Sequence, residues 1–524
     1  MPPTIDPENP AARRAHGGIG WLWIALPLAL AGYFVCTQLF SVASHFHKSG
    51  LVVMLGATAG IPVLLALGVA LRQALAHARS FLPTLRWWHL LWALTIVSAM
   101  VFRRRLAADI TSDPLDGWAV FRVAVDVIVA LVLLGRLALR RTHWLGSMFR
   151  GLVGALSVYG LVCLASTAWS AFPAWTLFKS WEYLVDIAVL ASVLETLDSV
   201  EQYRNFFNWT WALYGLLLLS AWKDVLLWPK EALYGETLMQ GAALGVRLSG
   251  VVPMASSNDG ATFSSILAVL CLARLFPASE EEQYDKLWYT VLFLVSMVSL
   301  VMSQTRAALV GLVFGGFFIL IFSKRGKLGA LLTFIVAPAV ALGTMGGLIW
   351  TFMERGQNAA QITSLSNRTL WWGLAWQTFL QRPFTGFGAY VGRFVVLAKA
   401  GFGITGTMHS DYLEVIVGTG IWGLIPLMVA LVGTWWLAWQ FVRISWDPQE
   451  RQLAYEALAI LALLTPRSAF NNMMTIHPPL PFLVIVGYME FLRRRRKAGI
   501  ECDSDYVDGL AGAEENPIAE PVPE

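Results

Sequence analysis

Charge is what this 524-residue sequence has least of. Asp, Glu, Lys and Arg make up 14% of it and hydrophobic residues 57%, whereas roughly a quarter of a soluble domain is charged. That shortfall excludes an ordinary soluble domain. Cysteine is scarce too: of the four present, Cys36, Cys163 and Cys271 lie inside apolar runs and Cys502 lies in the tail, so neither a disulfide framework nor thiolate metal-ligand spacing is visible. The alternating apolar and polar pattern of outer-membrane strands is missing. No repeat of constant period occurs, and the two halves show no inverted symmetry, which counts against a transporter. The opening MPPTIDPENPAARRAHGG is followed by no small-residue cleavage site and reads as a retained cytoplasmic tail.

What the chain does have is long apolar runs. They fall at about 19–41, 51–71, 85–102, 119–135, 149–168, 174–194, 204–227, 256–276, 287–303, 306–322, 328–350, 413–441, 454–470 and 479–492. A helix needs about 20 residues to cross a hydrocarbon core about 30 Å thick. The expected fold is therefore all-α: a polytopic transmembrane bundle of about 12–14 spans. Cytoplasmic loops should carry the Lys and Arg excess. Alternation from a cytoplasmic N-terminus places the basic stretches at 72–86, 136–150 and 323–327 and the Arg493–Lys497 run inside, which makes both termini cytoplasmic. It leaves 228–255 and 351–412 outside, with Arg103, Arg104 and Arg105 as the one basic cluster on the wrong face. The formal charge of +4 thus reports orientation and gives no case for nucleic acid. The 24 Trp suit an interfacial belt, although aromatics also line carbohydrate or polyprenyl paths. Four segments are expected: a tail 1–18, N-terminal helices 19–227, a core 228–498 holding the loop 351–412, and a disordered acidic tail 499–524.

The long late loop is where chemistry is expected. It carries NRTLWWGLAWQTFLQRPFTGFG and MHSDYLEV, placing Arg368, Arg382, Arg393 and His409 between two apolar spans. Three further features point to the same face. RLSGVVPMASSNDGATFSS supplies Arg247 and Asn258 at the entry to a helix, SQTRAAL puts Arg306 at an outer turn, and LLTPRSAFNNMM puts Arg467 inside an apolar run, with Asn471 and His477 as polar neighbours. A single arginine at a helix end more commonly snorkels to headgroups, and Trp371, Trp372 and Trp376 suit surface anchoring better than sugar stacking. Gly386 and Gly388 read as a backbone turn after Pro383. Several cations beside one titratable base on one face are harder to dismiss, and they suit an anionic, lipid-linked substrate. No DxD-type pair or ligand-spaced cluster of Asp, Glu or His occurs there, so neither metal nor cofactor is expected.

At these residues the chain resembles the O-antigen ligase and polymerase family, with its Wzy-like carboxy-terminal domain. The resemblance covers about 240–425 and rests on RLSG…SSND, SQTRAAL, the NRTLWWGLAWQTFLQRPFTGFG block and the His409 block ending in GTGIWG. It implies a membrane fold of the lipid-dependent glycosyltransferase type (GT-C-like) in a bacterial inner membrane, with a periplasmic site and an undecaprenyl-diphosphate-linked glycan as donor. Carried over residue by residue, Arg306 and Arg368 hold the donor diphosphate and His409 acts near the acceptor hydroxyl. Arg247, Asn258, Arg382 and Arg467 are expected to bind substrate around them. Two positions depart from the family pattern: Ser410 stands where many members have Asn, and Gly418 where many have Glu. Asp411 and Glu414 lie nearby but out of register.

Direct attack by a hydroxyl activated by His409 would invert the anomeric centre. Acceptors compatible with this reading are a lipid A core, a growing polysaccharide or a protein serine. The rivals from other classes are a flippase or transporter of the lipid-linked saccharide and a non-enzymatic assembly protein.

Overall fold

A computed structural model describes residues 85–100, 117–139, 143–234, 247–324, 368–397, 408–475 and 480–514, with isolated positions between them. The expected tail 1–18, the runs at 19–41 and 51–71 and nearly all of 328–350, the Arg103 cluster, His477 and much of the 351–412 loop lie outside the described residues.

The described chain is helical almost throughout. Its principal helices are α1 (Trp87–Met100), α2 (Gly117–Ala138), α3 (Trp144–Met148), α4 (Gly151–Ala165), α5 (Pro173–Thr196), α6 (Val200–Leu227), α7 (Ser257–Leu275), α8 (Lys286–Ser303), α9 (Arg306–Phe322), α10 (Arg368–Gln381), α11 (Asp411–Ile444), α12 (Pro448–Ser468) and α13 (Leu480–Glu514). The strands β1 (Leu233–Tyr234) and β2 (Arg247–Leu248) pair antiparallel as one small ribbon. Among the described residues four helical segments are long and apolar enough to cross a membrane, Gly151–Trp169, Val200–Leu227, Lys286–Ser303 and Asp411–Ile444, and two shorter apolar helices are Trp87–Ser98 and Arg306–Phe322. This is an all-α, multi-pass helical membrane protein, as the apolar runs imply.

Local chemistry sets the helix starts. At α7, Ser256 and Asp259 form a reciprocal capping box: the Ser256 hydroxyl accepts from the Asp259 amide at 3.3 Å, and the Asp259 carboxylate accepts from the Ser256 amide at 2.9 Å. Asp447 caps α12 ahead of Pro448, whose missing N–H costs nothing in the first turn. The core is built on α12, where Leu453 through Leu464 are all buried. α9 lies along α12, α8 along α7, and α11 against α4 and α12.

Two clusters of charge inside the bundle are paired, which offsets part of the cost of burying them. On α5, Glu182 takes both Lys179 and Arg122. Where α7 ends and α12 begins, Arg274 pairs with Glu456 at 2.8 Å and also donates to Asn208 and Tyr289. The last helix departs from expectation. It runs on to Glu514, where disorder is expected from 499; no proline interrupts the chain between Pro481 and Pro517, so nothing forbids the helical backbone there.

α11 contains 34 residues with a break at Gly420, whose φ is 61° and ψ −153°. At 1.5 Å per residue the whole helix measures about 51 Å, well beyond a hydrocarbon core, and the arm 421–444 alone about 36 Å. Its large exposed hydrophobics, Trp422, Ile425, Val429, Val432 and Trp436, all follow the break. The short arm 411–419 is buried within the protein apart from Tyr412 and Leu413. The lipid-facing stripe thus begins at Trp422, and the short arm carries the preceding His409 above it.

Candidate functional site

Five chain ends meet at one end of the bundle: the start of α7, the tight turn from α8 to α9, the starts of α10 and α11, and the end of α12. Three arginines and a histidine form a spatial series there. Arg247 on β2 acts electrostatically on Arg306, Arg306 on Arg368, and Arg368 on His409. Residues scattered over more than 150 positions of sequence are thereby brought into one row of positive charge ending in an imidazole.

The backbone is specialised at this point. Gln304, which ends α8, has φ 53° and His409 has φ 50°, a left-handed conformation that non-glycine residues seldom adopt and that collects at functional sites. The Gln304 turn lets Thr305 precede α9 so that Arg306 is its first residue. Thr305 donates to the Asn258 side-chain oxygen at 3.2 Å, fixing the turn to the start of α7. Asn258 is thus an alignment residue for Arg306.

Arg368 opens α10 and donates to the carbonyl of Phe470 at 3.0 Å, leaving guanidinium N–H groups to spare. Burial and then the neighbouring Arg306 push its pKa below the ordinary value, as expected where one cation is held beside another; the guanidinium stays charged. The His409 ring stacks on Trp371, with centroids 5.9 Å apart and planes at 20°. Its pKa is driven down from 6.5 to about 4, first by burial and then by the charge of Arg368, with the Asn471 hydrogen bond working the other way. Burial and Arg368 thus both favour the neutral imidazole, the form that can accept a proton. The same arginine that suits an anionic substrate disfavours the imidazolium.

Trp371 and Trp372 also depart from the surface-anchoring reading. Both are half-buried, Trp371 against His409 and Trp372 against Phe470 at 5.7 Å, while Trp376 is exposed. Arg467 is wholly buried. It donates to the Asn258 carbonyl and the Thr262 hydroxyl, each at 2.8 Å, and to the Ser265 hydroxyl at 3.1 Å. Those bonds turn its guanidinium into the wall of the site, tying α12 to α7, where substrate contact is expected from sequence. Arg393 is occupied elsewhere: its guanidinium lies 4.5 Å from the Trp175 ring centre and 4.6 Å from that of Phe394, beside Glu414. Arg382 follows the far end of α10, about 20 Å along the helix axis from Arg368, and packs over Phe387. It does not join the row.

Asp411 is the residue that sequence reasoning passes over. Fully buried at the first turn of α11, its carboxylate accepts from the backbone amides of Met473 at 2.6 Å, Met474 at 2.9 Å and Thr475 at 3.2 Å, and from the Thr475 hydroxyl. That loop follows directly on Phe470, the acceptor for Arg368, and Asn471, the partner of His409. Asp411 therefore positions both functional side chains through one stretch of backbone. Asp411→Asn keeps the shape but replaces an acceptor oxygen by a donor facing donors. Loss of a charged buried hydrogen bond costs on the order of 1.5–3 kcal/mol, so the purified variant should melt at lower temperature and lose activity over a different acid pH range from wild type. A melting curve and pH profile matching wild type would show that the clamp is idle.

The two departures from the family pattern have local reasons. Ser410 is the N-cap of α11, its hydroxyl accepting from Leu413 at 3.4 Å, a role that Asn and Ser fill equally well. At Gly418 the backbone of the Gly386–Gly388 turn approaches closely: Gly388 donates to the Gly418 carbonyl at 2.8 Å, and a β-carbon on Gly418 would stand 3.0 Å from the Gly388 oxygen. The turn itself needs positive φ at Gly386, 63°, and Gly388, 108°. This is backbone geometry, with no phosphate role required.

Comparison with curated proteins finds no match. Residues 291–428, by contrast, match the family model described as O-antigen ligase, a span that takes in Arg306, Arg368 and His409 and leaves Arg247, Asn258 and Arg467 outside it. The resemblance carried by SQTRAAL and by the Arg368 and His409 blocks is thereby borne out: over residues 291–428 the chain is similar to the O-antigen ligase family, which supports lipid-linked glycan transfer in general.

Proposed function

We propose that the protein is an inverting glycosyltransferase that moves a glycan from undecaprenyl diphosphate to an acceptor hydroxyl at the periplasmic face of the inner membrane. The observation that carries this reading is the row Arg247, Arg306, Arg368 ending at a neutral His409. Guanidinium forks match phosphate oxygens in pairs, so Arg306 and Arg368 suit the diphosphate and stabilise the charge that gathers on it as it leaves. His409 takes the proton of the acceptor hydroxyl. The acceptor oxygen then bonds to the anomeric carbon, the bond from that carbon to the phosphate oxygen breaks, and the electron pair departs with the lipid diphosphate. The arginines supply the charge neutralisation, so the reaction proceeds without a divalent metal. The 228–498 core would house this site, and the helices before it would serve as the membrane scaffold.

Sidedness is supported by the run of α13. It starts beside the Asp411-clamped loop and carries Arg493 to Lys497 more than a dozen residues further on, at the other end of the bundle. Basic residues favour the cytoplasm, which leaves the site outside. The test uses purified protein with undecaprenyl-diphosphate glycan and a panel of lipid, glycan and peptide acceptors, read by gel mobility and mass, alongside cysteine labelling of intact spheroplasts at Asn358. Transfer to one acceptor class together with outside labelling is expected. Transport without transfer would overturn the enzymatic reading, and protection of position 358 would overturn the sidedness.

A further inference from the structure

The first arginine of the row is held differently from the other two. Arg306 and Arg368 each open a helix, whereas Arg247 sits on β2, half of a ribbon with two residues in each strand. A two-stranded ribbon is marginal by itself. Arg247 also lies within electrostatic reach of Arg306, so like-charge repulsion works to part them. What opposes it is the last turn of α6. Asp224, fully buried, accepts through Oδ2 from the Val251 amide at 2.7 Å and the Val252 amide at 3.0 Å. Its neighbour Lys223 donates to the Val252 carbonyl at 2.6 Å and pairs with the Asp224 carboxylate at 3.0 Å. Two consecutive side chains thus grip Val252 by its N–H and its C=O. Around that point Gly250 and Ala255 exchange backbone hydrogen bonds of 2.8 and 3.2 Å, and Ser249 donates its amide to the Ala232 carbonyl at 2.9 Å.

Helix stability gives no reason for an acid at this position. A carboxylate in the last turn faces the negative end of the helix dipole, and burying it costs more still unless hydrogen bonds compensate. The compensating donors are the two loop amides and the Lys223 ammonium. The same turn of α6 carries Trp222, whose indole N–H donates to the Ser299 hydroxyl at 2.8 Å. Ser299 lies on α8, the helix that ends in the Gln304 turn ahead of Arg306. One turn of α6 is therefore the common reference for two arms, one bearing Arg247 and the other leading to Arg306. Asp224 itself lies far outside the matched residues 291–428. We propose that Asp224 is a positioning residue: through the backbone of Val251 and Val252 it holds Arg247 against Arg306 at a spacing where both can grip one diphosphate. Preorganised charge of this kind is in place before the anion arrives. The role rests on the diphosphate site proposed above.

The test is a double-mutant cycle on the full-length protein, read as retention of undecaprenyl diphosphate in native mass spectrometry. Arg247→Gln and Asp224→Asn should each weaken retention about tenfold, the scale of one charge-assisted hydrogen bond. The double variant should be no weaker than Arg247→Gln alone, because a displaced arginine and an absent one are equivalent to the ligand. An acid that merely stabilised the fold would instead add its loss in either background. Lys223→Met removes the other half of the grip and leaves both amide bonds to Asp224 in place. It should give a smaller loss that likewise vanishes without Arg247, and it carries the test by itself where Asp224→Asn yields no folded protein. Losses that multiply in the double variants, or undiminished retention in both Asp224→Asn and Lys223→Met, overturn the positioning role and leave the diphosphate site standing. Wild type that retains no undecaprenyl diphosphate, or full retention by Arg247→Gln, removes Arg247 from any such site and the proposal with it.

Discussion

Purified Arg306→Lys and Arg368→Lys proteins should each keep their fold and membrane insertion yet transfer glycan some 10- to 100-fold more slowly than wild type. Lysine preserves the charge and loses the planar fork that matches two phosphate oxygens at once. A charged hydrogen bond is worth about 1.5–3 kcal/mol, and about 1.4 kcal/mol is a factor of ten in rate or affinity. Arg368 has the further task of donating to the Phe470 carbonyl at 3.0 Å, which the shorter donor set of lysine can meet only by giving up part of its hold on phosphate. Its variant should therefore be the weaker of the two. Donor affinity and single-turnover rate, measured on the same preparations, separate loss of binding from loss of transition-state stabilisation. Wild-type rates in both Lys proteins would leave only snorkelling to headgroups as the reason for these arginines.

The helices were open to inspection in the sequence because a membrane imposes one strong rule, an apolar run of sufficient length. The runs at 256–276, 287–303 and 306–322 became α7, α8 and α9 within a residue or so. The row of cations was partly legible for a similar reason, since an ionisable residue at or within an apolar run is rare enough to stand out. What sequence could not separate was which of those residues faces substrate and which faces a neighbouring helix. Arg467 and Arg306 look alike in their motifs, but Arg467 finds three acceptors on α7 while Arg306 starts a helix beside two other arginines. Arg382 and Arg368 share one motif block, and only the length of α10 parts them. Asp411 was passed over because its significance lies in a loop 62 or more residues downstream, and no local pattern announces that contact. The low pKa of His409 was likewise invisible, since burial and the approach of Arg368 arise only on folding.

His409→Ala should retain undecaprenyl-diphosphate glycan at close to wild-type affinity and lose turnover by about 100-fold or more, the usual worth of a positioned base. The pH dependence makes the prediction sharper. A base works only when unprotonated, so activity must fall as pH drops through its pKa. In the free protein that pKa is pushed down to about 4 by burial and by Arg368, so the acid limb of kcat/KM, which reports the free enzyme, should lie near pH 4 and well below the ordinary 6.5. Bound diphosphate sets negative charge beside the same arginines and offsets their field, so the acid limb of kcat, which reports the complex, should lie at higher pH than that of kcat/KM. Arg368→Gln removes the second cause of the depression and should move the kcat/KM limb upward in the same direction. These measurements are made in excess EDTA, because arginines carry the charge neutralisation in this mechanism. Near-normal turnover by the Ala protein, an acid limb indifferent to Arg368, or loss of wild-type activity to the chelator would each remove His409 from the role of base in a metal-free transfer.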